Sequence, residues 1–144
     1  MGIASVVLTL LVAAEPGPPG DPTQQEIERL QGDWAVVSMI HDGEQVPADD
    51  AQAIFRTIKG NEFTMFLYDK PLQKGTFKID ARQSPKAIDE QAARGGGKPR
   101  LGIYEFAGDQ LRVCMAAPGG KRPKEFKSEA GSQTLLVVWE RQKK

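Results

Sequence analysis

From Gly32 onward, apolar residues recur at every second position in short runs, and glycine, proline or acidic turn residues close each run. Period-two alternation marks a strand with one face in a core, because successive side chains point to opposite faces. The runs are Asp33–Ile40, Ile54–Lys59, Glu62–Tyr68, Gly75–Asp80, Ala87–Gln91, Leu101–Ala107, Gln110–Ala116 and Thr134–Arg141. No helix-length periodic segment separates them, so a parallel sheet wound with helices is excluded. Eight strands with close turns predict an antiparallel barrel or sandwich. Gly60-Asn61 and Gly108-Asp109 place glycine first in a two-residue connection, which suits a type II′ hairpin because that position needs positive φ. Alternation in the first run puts Trp34, Val36, Ser38 and Ile40 on one face, and Ala35, Val37 and Met39 on the other.

The chain before Gly32 is of another kind. Ile3–Ala14 is an uncharged apolar run ending in Val12-Ala13-Ala14. Its length suits a signal-peptide core and falls short of the ~20 residues a membrane span takes. Residues 1–14 are therefore expected to direct export and be removed, leaving a protein outside the cytoplasm, periplasmic or secreted, that does not span a membrane. Residues 15–22 contain four prolines and two glycines and read as a linker. Thr23–Gln31 then reads as a short helix capped by Thr23, with Glu26 completing a capping box and Gly32 ending it. The folded domain is expected to occupy residues 23–144.

Nineteen basic side chains balance nineteen acidic ones. Phosphate contacts supply most nucleic-acid affinity, so the absence of a basic excess argues against DNA or RNA as partner. One cysteine, Cys114, permits neither an internal disulfide nor a cysteine-bound zinc site.

The titratable and nucleophilic residues form no catalytic pattern. His41 and Asp42 are adjacent in a strand and point to opposite faces, so they read as a solvated loop entry. Cys114 shares a face with Arg112 and reads as a small residue packed beneath a loop. Asp49, Asp50, Asp69, Asp80, Asp89 and Glu90 lack the spacing of a calcium loop and read as turn and surface residues. Gly95-Gly96-Gly97-Lys98 is followed by Pro99 and a strand, whereas a phosphate loop needs a helix there. No catalytic residue, metal ligand or cofactor is expected. Arg56 is the exception: it shares a strand face with Ile54 and Ile58, alternating with Phe55 and Thr57, and an inward guanidinium needs an anion. It is the candidate contact for the carboxylate of a small amphiphile.

Gly32-Asp33-Trp34 behind a short helix resembles the Gly-x-Trp signature of lipocalins. The resemblance implies that Arg141 lies over Trp34 and closes the barrel floor, and that the Asp42–Ala53 segment corresponds to the lid. A broader resemblance runs from about Leu30 to Lys144. Its motifs are Leu30-Gln31-Gly32-Asp33-Trp34, Lys74-Gly75-Thr76-Phe77-Lys78-Ile79-Asp80, Pro85-Lys86-Ala87-Ile88-Asp89, Leu101-Gly102-Ile103-Tyr104-Glu105 and Arg122-Pro123-Lys124-Glu125-Phe126. These are similar to an uncharacterised planctomycete domain family regarded as lipocalin-like. Its members carry no established activity, so the resemblance implies a fold and no catalytic or binding residue. After Asp89 the chain departs from that family, with a polar Glu90-Gln91-Ala92-Ala93 where an apolar strand continues.

The expected fold is thus an eight-stranded antiparallel, lipocalin-like (calycin-type) barrel with an N-terminal helix at one end. Such a barrel has room for packed side chains or one small ligand. The expected function is a non-enzymatic binding module for a small apolar or amphipathic molecule. The alternative is a filled barrel that serves as a structural or protein-interaction domain.

Overall fold

The computed structural model describes residues 22–95 and 97–142; the leader and residues 15–21 of the linker lie outside the described residues. The chain runs α1 (Pro22–Leu30), β1 (Gly32–His41), β2 (Glu44–Gln45), α2 (Ala48–Ala51), β3 (Ile54–Lys59), β4 (Glu62–Leu67), β5 (Lys70–Asp80), β6 (Lys86–Ala92), β7 (Arg100–Ala107), β8 (Gln110–Met115) and β9 (Leu135–Arg141). Every pairing is antiparallel between neighbours in this order, β2 excepted, and β1 closes the sheet by pairing with both β3 and β9. The result is a closed eight-stranded barrel with β2 as a two-residue appendage on β1.

Turn chemistry sets the register. In the β3–β4 and β7–β8 hairpins, Lys59 faces Glu62 and Ala107 faces Gln110, which leaves two-residue turns. Gly60 and Gly108 have φ of 62° and 61°. Neither Asn61 nor Asp109 is among the positive-φ residues, which is the type II′ pattern.

Two boundaries differ from the sequence reading. The helix begins at Pro22, so Pro22 belongs to it and Thr23 lies inside its first turn, where its hydroxyl accepts the Ala81 N–H. Proline suits a first helical position because that residue has no N–H partner to lose. The capping-box role of Glu26 gives way to a buried carboxylate that pairs with Lys86 and Arg29. β5 begins five residues early, at Lys70, and forms a third tight hairpin with β4 around Tyr68-Asp69.

The face assignment along β1 also needs correcting. Val36 pairs with Trp139 and Ser38 with Val138, so Val37 is an extra residue in a β-bulge. A bulge shifts the alternation by one residue. Val37 keeps the outward face that alternation gives it, while Met39, beyond the bulge, turns in to join Trp34 and Val36 in the core. The Asp42–Ala53 segment is no open flap: it holds β2 and α2, and Ala51 and Ala53 are buried.

The interior is occupied by the chain itself. Trp34, Phe63, Phe77, Tyr104, Trp139, Ile58, Ile88, Leu111 and Val137 belong to one buried cluster. Burial, with the Glu26 carboxylate nearby, pushes the Tyr104 phenol well above its usual pKa.

Candidate functional site

At the floor, α1 lies across the barrel end. Leu30 is buried, and its carbonyl accepts the Trp34 indole N–H at 2.9 Å. The Arg141 guanidinium carbon sits 4.2 Å from the Trp34 ring centroid, and its two terminal nitrogens donate to the carbonyls of Gln31 and Arg29. One cation thus covers the indole face and satisfies carbonyls that the helix end leaves open. Gly32 makes room for it: its φ is 112°, and a Cβ there would sit 3.1 Å from Arg141 Nη1. Arg29 repeats the motif over Phe106 at 4.0 Å. This end is sealed.

Deeper in the barrel lies a charged layer. Arg56 points inward, 6% exposed, and faces Glu90 of β6, 7% exposed. Arg56 Nη1 is 2.8 Å from Glu90 Oε2, and Nη2 donates to Oε1 at 3.2 Å. Aromatic rings wall the guanidinium, with the Phe63 centroid at 4.6 Å and Trp139 at 5.2 Å, and Nε donates to the Met65 sulfur. The anion that Arg56 requires is therefore a residue of the chain. The polar run after Asp89 concealed this. Period-two alternation sets Glu90 on the same strand face as Ile88, and an inward arginine elsewhere was the signal that Glu90 also turns in.

A second arginine adjoins the pair. Arg100 is opposite Glu90 in the β6–β7 register and half-buried, with its Nε donating to the Ala116 carbonyl at 3.1 Å. Among the described residues Arg100 forms no ion pair within 4 Å. Burial lowers its pKa, Glu90 opposes that, and Arg56 adds to it. Arginine keeps its proton, so this desolvation is a standing cost that an incoming anion would offset.

Glu90 and Arg100 line a cleft of about 190 Å³ with Phe63, Gln73, Arg94 and Lys98. Three cations there stand against one carboxylate that Arg56 already neutralises. Next to it, a wider cleft of about 610 Å³ is lined by Pro71, Leu72, Ala92 and Ala93, with Lys74 and Arg94 among its polar residues. The two share Gln73, Ala92 and Arg94, so they adjoin. They exist because β5 overhangs β6: pairing stops at Gly75–Ala92, the Ala93 N–H still donates to the Lys74 carbonyl, and Lys70–Gln73 are left unflanked on that side.

No family model, curated protein or solved structure matches the chain. What stands is a closed antiparallel barrel with a sealed floor and an amphipathic rim. No helix among the described residues is long and apolar enough to cross a membrane.

The other sequence candidates fall elsewhere. His41 is exposed at the end of β1, and Asp42 accepts the Gln133 N–H in the following turn. Asp49, Asp50 and Asp69 are exposed, and Asp80 accepts hydrogen bonds from Arg82 and Gln83. Asp89 pairs with Arg122 at 2.7 Å. Cys114 is fully buried on the outer side of β8, where its thiol contacts the Lys127 carbonyl and burial raises its pKa. The 117–134 connection covers it and is pinned down at Arg122, at Phe126 under Arg112, and at Ser128, whose hydroxyl accepts the Gly43 N–H. Among the described residues no group of three His, Cys, Asp or Glu could hold a metal.

Proposed function

We propose that this chain is a lipocalin-like, non-enzymatic binding module that acts outside the cytoplasm and takes a small anionic amphiphile at the barrel rim. One observation carries the reading: a cationic cleft and an apolar cleft adjoin and share Gln73, Ala92 and Arg94. The head group pairs with Arg100, whose charge has no ion-pair partner among the described residues. The tail lies along Pro71, Leu72, Ala92 and Ala93. Ligand sites of this type are apolar clefts with a few polar groups that fix orientation. The interior is not the site, because Trp139, Phe63 and the Arg56–Glu90 pair already fill its centre. Export rests on the apolar leader and the small residues that end it.

Calorimetric titration with dodecanoate tests the proposal. Saturable binding is expected, with Arg100→Gln weakening it by about tenfold or more through loss of a charge-assisted contact. Dodecanol, with the same tail and no charge, is expected to bind at least as weakly as dodecanoate does to that variant. Absence of saturable binding, or equal affinity for the two probes, would overturn the proposal and favour the filled barrel that serves only protein contacts.

A further inference from the structure

Three of the two-residue hairpins, those in which only the first turn residue has positive φ, share one geometry and differ in one residue. Gly60, Tyr68 and Gly108 each open a two-residue turn with φ near +60°. Glycine takes that conformation freely, while a tyrosine there is strained. Tyr68 is also 70% exposed, so no packing in the fold repays the strain. Strained residues that the fold does not need point to a use outside it.

The surroundings of Tyr68 say what use. All eight residues from Leu67 to Lys74 are exposed, among them Leu67 (38%) and Leu72 (60%). Pro71 and Leu72 line the wide cleft and Leu67 lies outside it, so exposed apolar side chains stand on either side of a hairpin that juts past β6. A rigid protein partner covers one face of such a ribbon. A lipid surface surrounds both. Tyrosine belongs at a bilayer interface, where its ring is apolar and its hydroxyl stays wet. Lys70, Lys74 and Arg94 stand around the tip, and Asp69 is the acidic residue of the turn itself. Lysines reach from such a position to anionic head groups while their stems lie among acyl chains. The overhang is also a poor template for an added strand, since Pro71 lacks an N–H and Leu72 forms a bulge.

We propose that the β4–β5 hairpin tip, Leu67 to Leu72, docks the barrel onto an anionic lipid surface. This does not rest on the amphiphile site, and the test separates the two.

The full chain carrying Leu67→Cys, labelled with an environment-sensitive fluorophore, is titrated with phosphatidylglycerol vesicles and with neutral phosphatidylcholine vesicles. Leu67 lies outside both clefts, and the native Cys114 is buried, so the label reports the tip alone. A blue shift on the anionic vesicles is expected, at least tenfold weaker on neutral ones. The same label at Asp109→Cys, in the β7–β8 turn at the floor end, is expected to stay in water. A response there with none at the tip would assign docking to the leader and overturn the proposal. Lys70→Glu with Lys74→Glu is expected to abolish the tip response. Tyr68→Gly is expected to raise Tm by about 4 °C while weakening vesicle binding several-fold. A tip label silent on vesicles but shifted by polyglutamate would assign the tip to an acidic protein and sink the membrane proposal. Dodecanoate binding that survives Lys70→Glu alone, a residue outside both clefts, would keep the head-group contact at Arg100 distinct from vesicle docking.

Discussion

Replacing Glu90 with alanine is expected to cost about 3–5 kcal/mol of folding stability, because it strands a buried arginine without its anion. The other neighbours of Arg56 are Phe63, Trp139 and the Met65 sulfur, and none of them supplies a negative charge. The pair itself is a different matter. Two desolvated charges roughly cancel their own attraction, so exchanging both for apolar residues of similar volume is often neutral or stabilising. The double variant Arg56→Met with Glu90→Leu is accordingly expected to be at least as stable as the parent. Urea unfolding of the four corners of this cycle provides the check. A Glu90→Ala cost below about 1 kcal/mol would show that water reaches the pair, and the buried charged layer would have to be abandoned.

Trp34→Ala is expected to cost a similar amount, about 3–5 kcal/mol, for a separate reason. It empties the largest fully buried side chain in the fold and removes the ring on which Arg141 rests. It also removes the donor to the Leu30 carbonyl that ties α1 to the barrel. Against a domain stability of about 5–15 kcal/mol, such a loss leaves little margin. Thermal unfolding should show a Tm lower by many degrees and loss of the α1 helical signal. An unchanged Tm would remove Trp34 from the floor.

The strand plan was legible because local chemistry dictates it. Glycine-first turns at 60 and 108 announce hairpins, and the runs beside them alternate cleanly. The β1–β2 turn was also within reach: Asp42-Gly43 is a hairpin dipeptide, and both residues have positive φ. Other features lay beyond any single strand. The Val37 bulge depends on how β1 meets β9, and the apolar residues on both sides of it hide the change of face. The start of β5 was missed because Tyr68-Asp69 carries no turn signature, the same anomaly that makes Tyr68 informative. The rim site was hardest to see. It arises from a strand that ends early beside one that overhangs, and from Glu90 facing inward out of a polar run. Arg56 alone was visible, and its partner was sought outside the chain when it lay thirty-four residues downstream.

With tryptophans and a salt bridge taking up the barrel, a small ligand is left the rim. Amide and indole chemical shifts followed during a dodecanoate titration read that position directly. The shifts are expected to gather at residues 71–74 and 92–100, with the indole signals of Trp34 and Trp139 unmoved. Movement of the Trp139 indole with the Leu111 and Val137 amides, and a silent rim, would place the ligand inside the barrel and contradict the account.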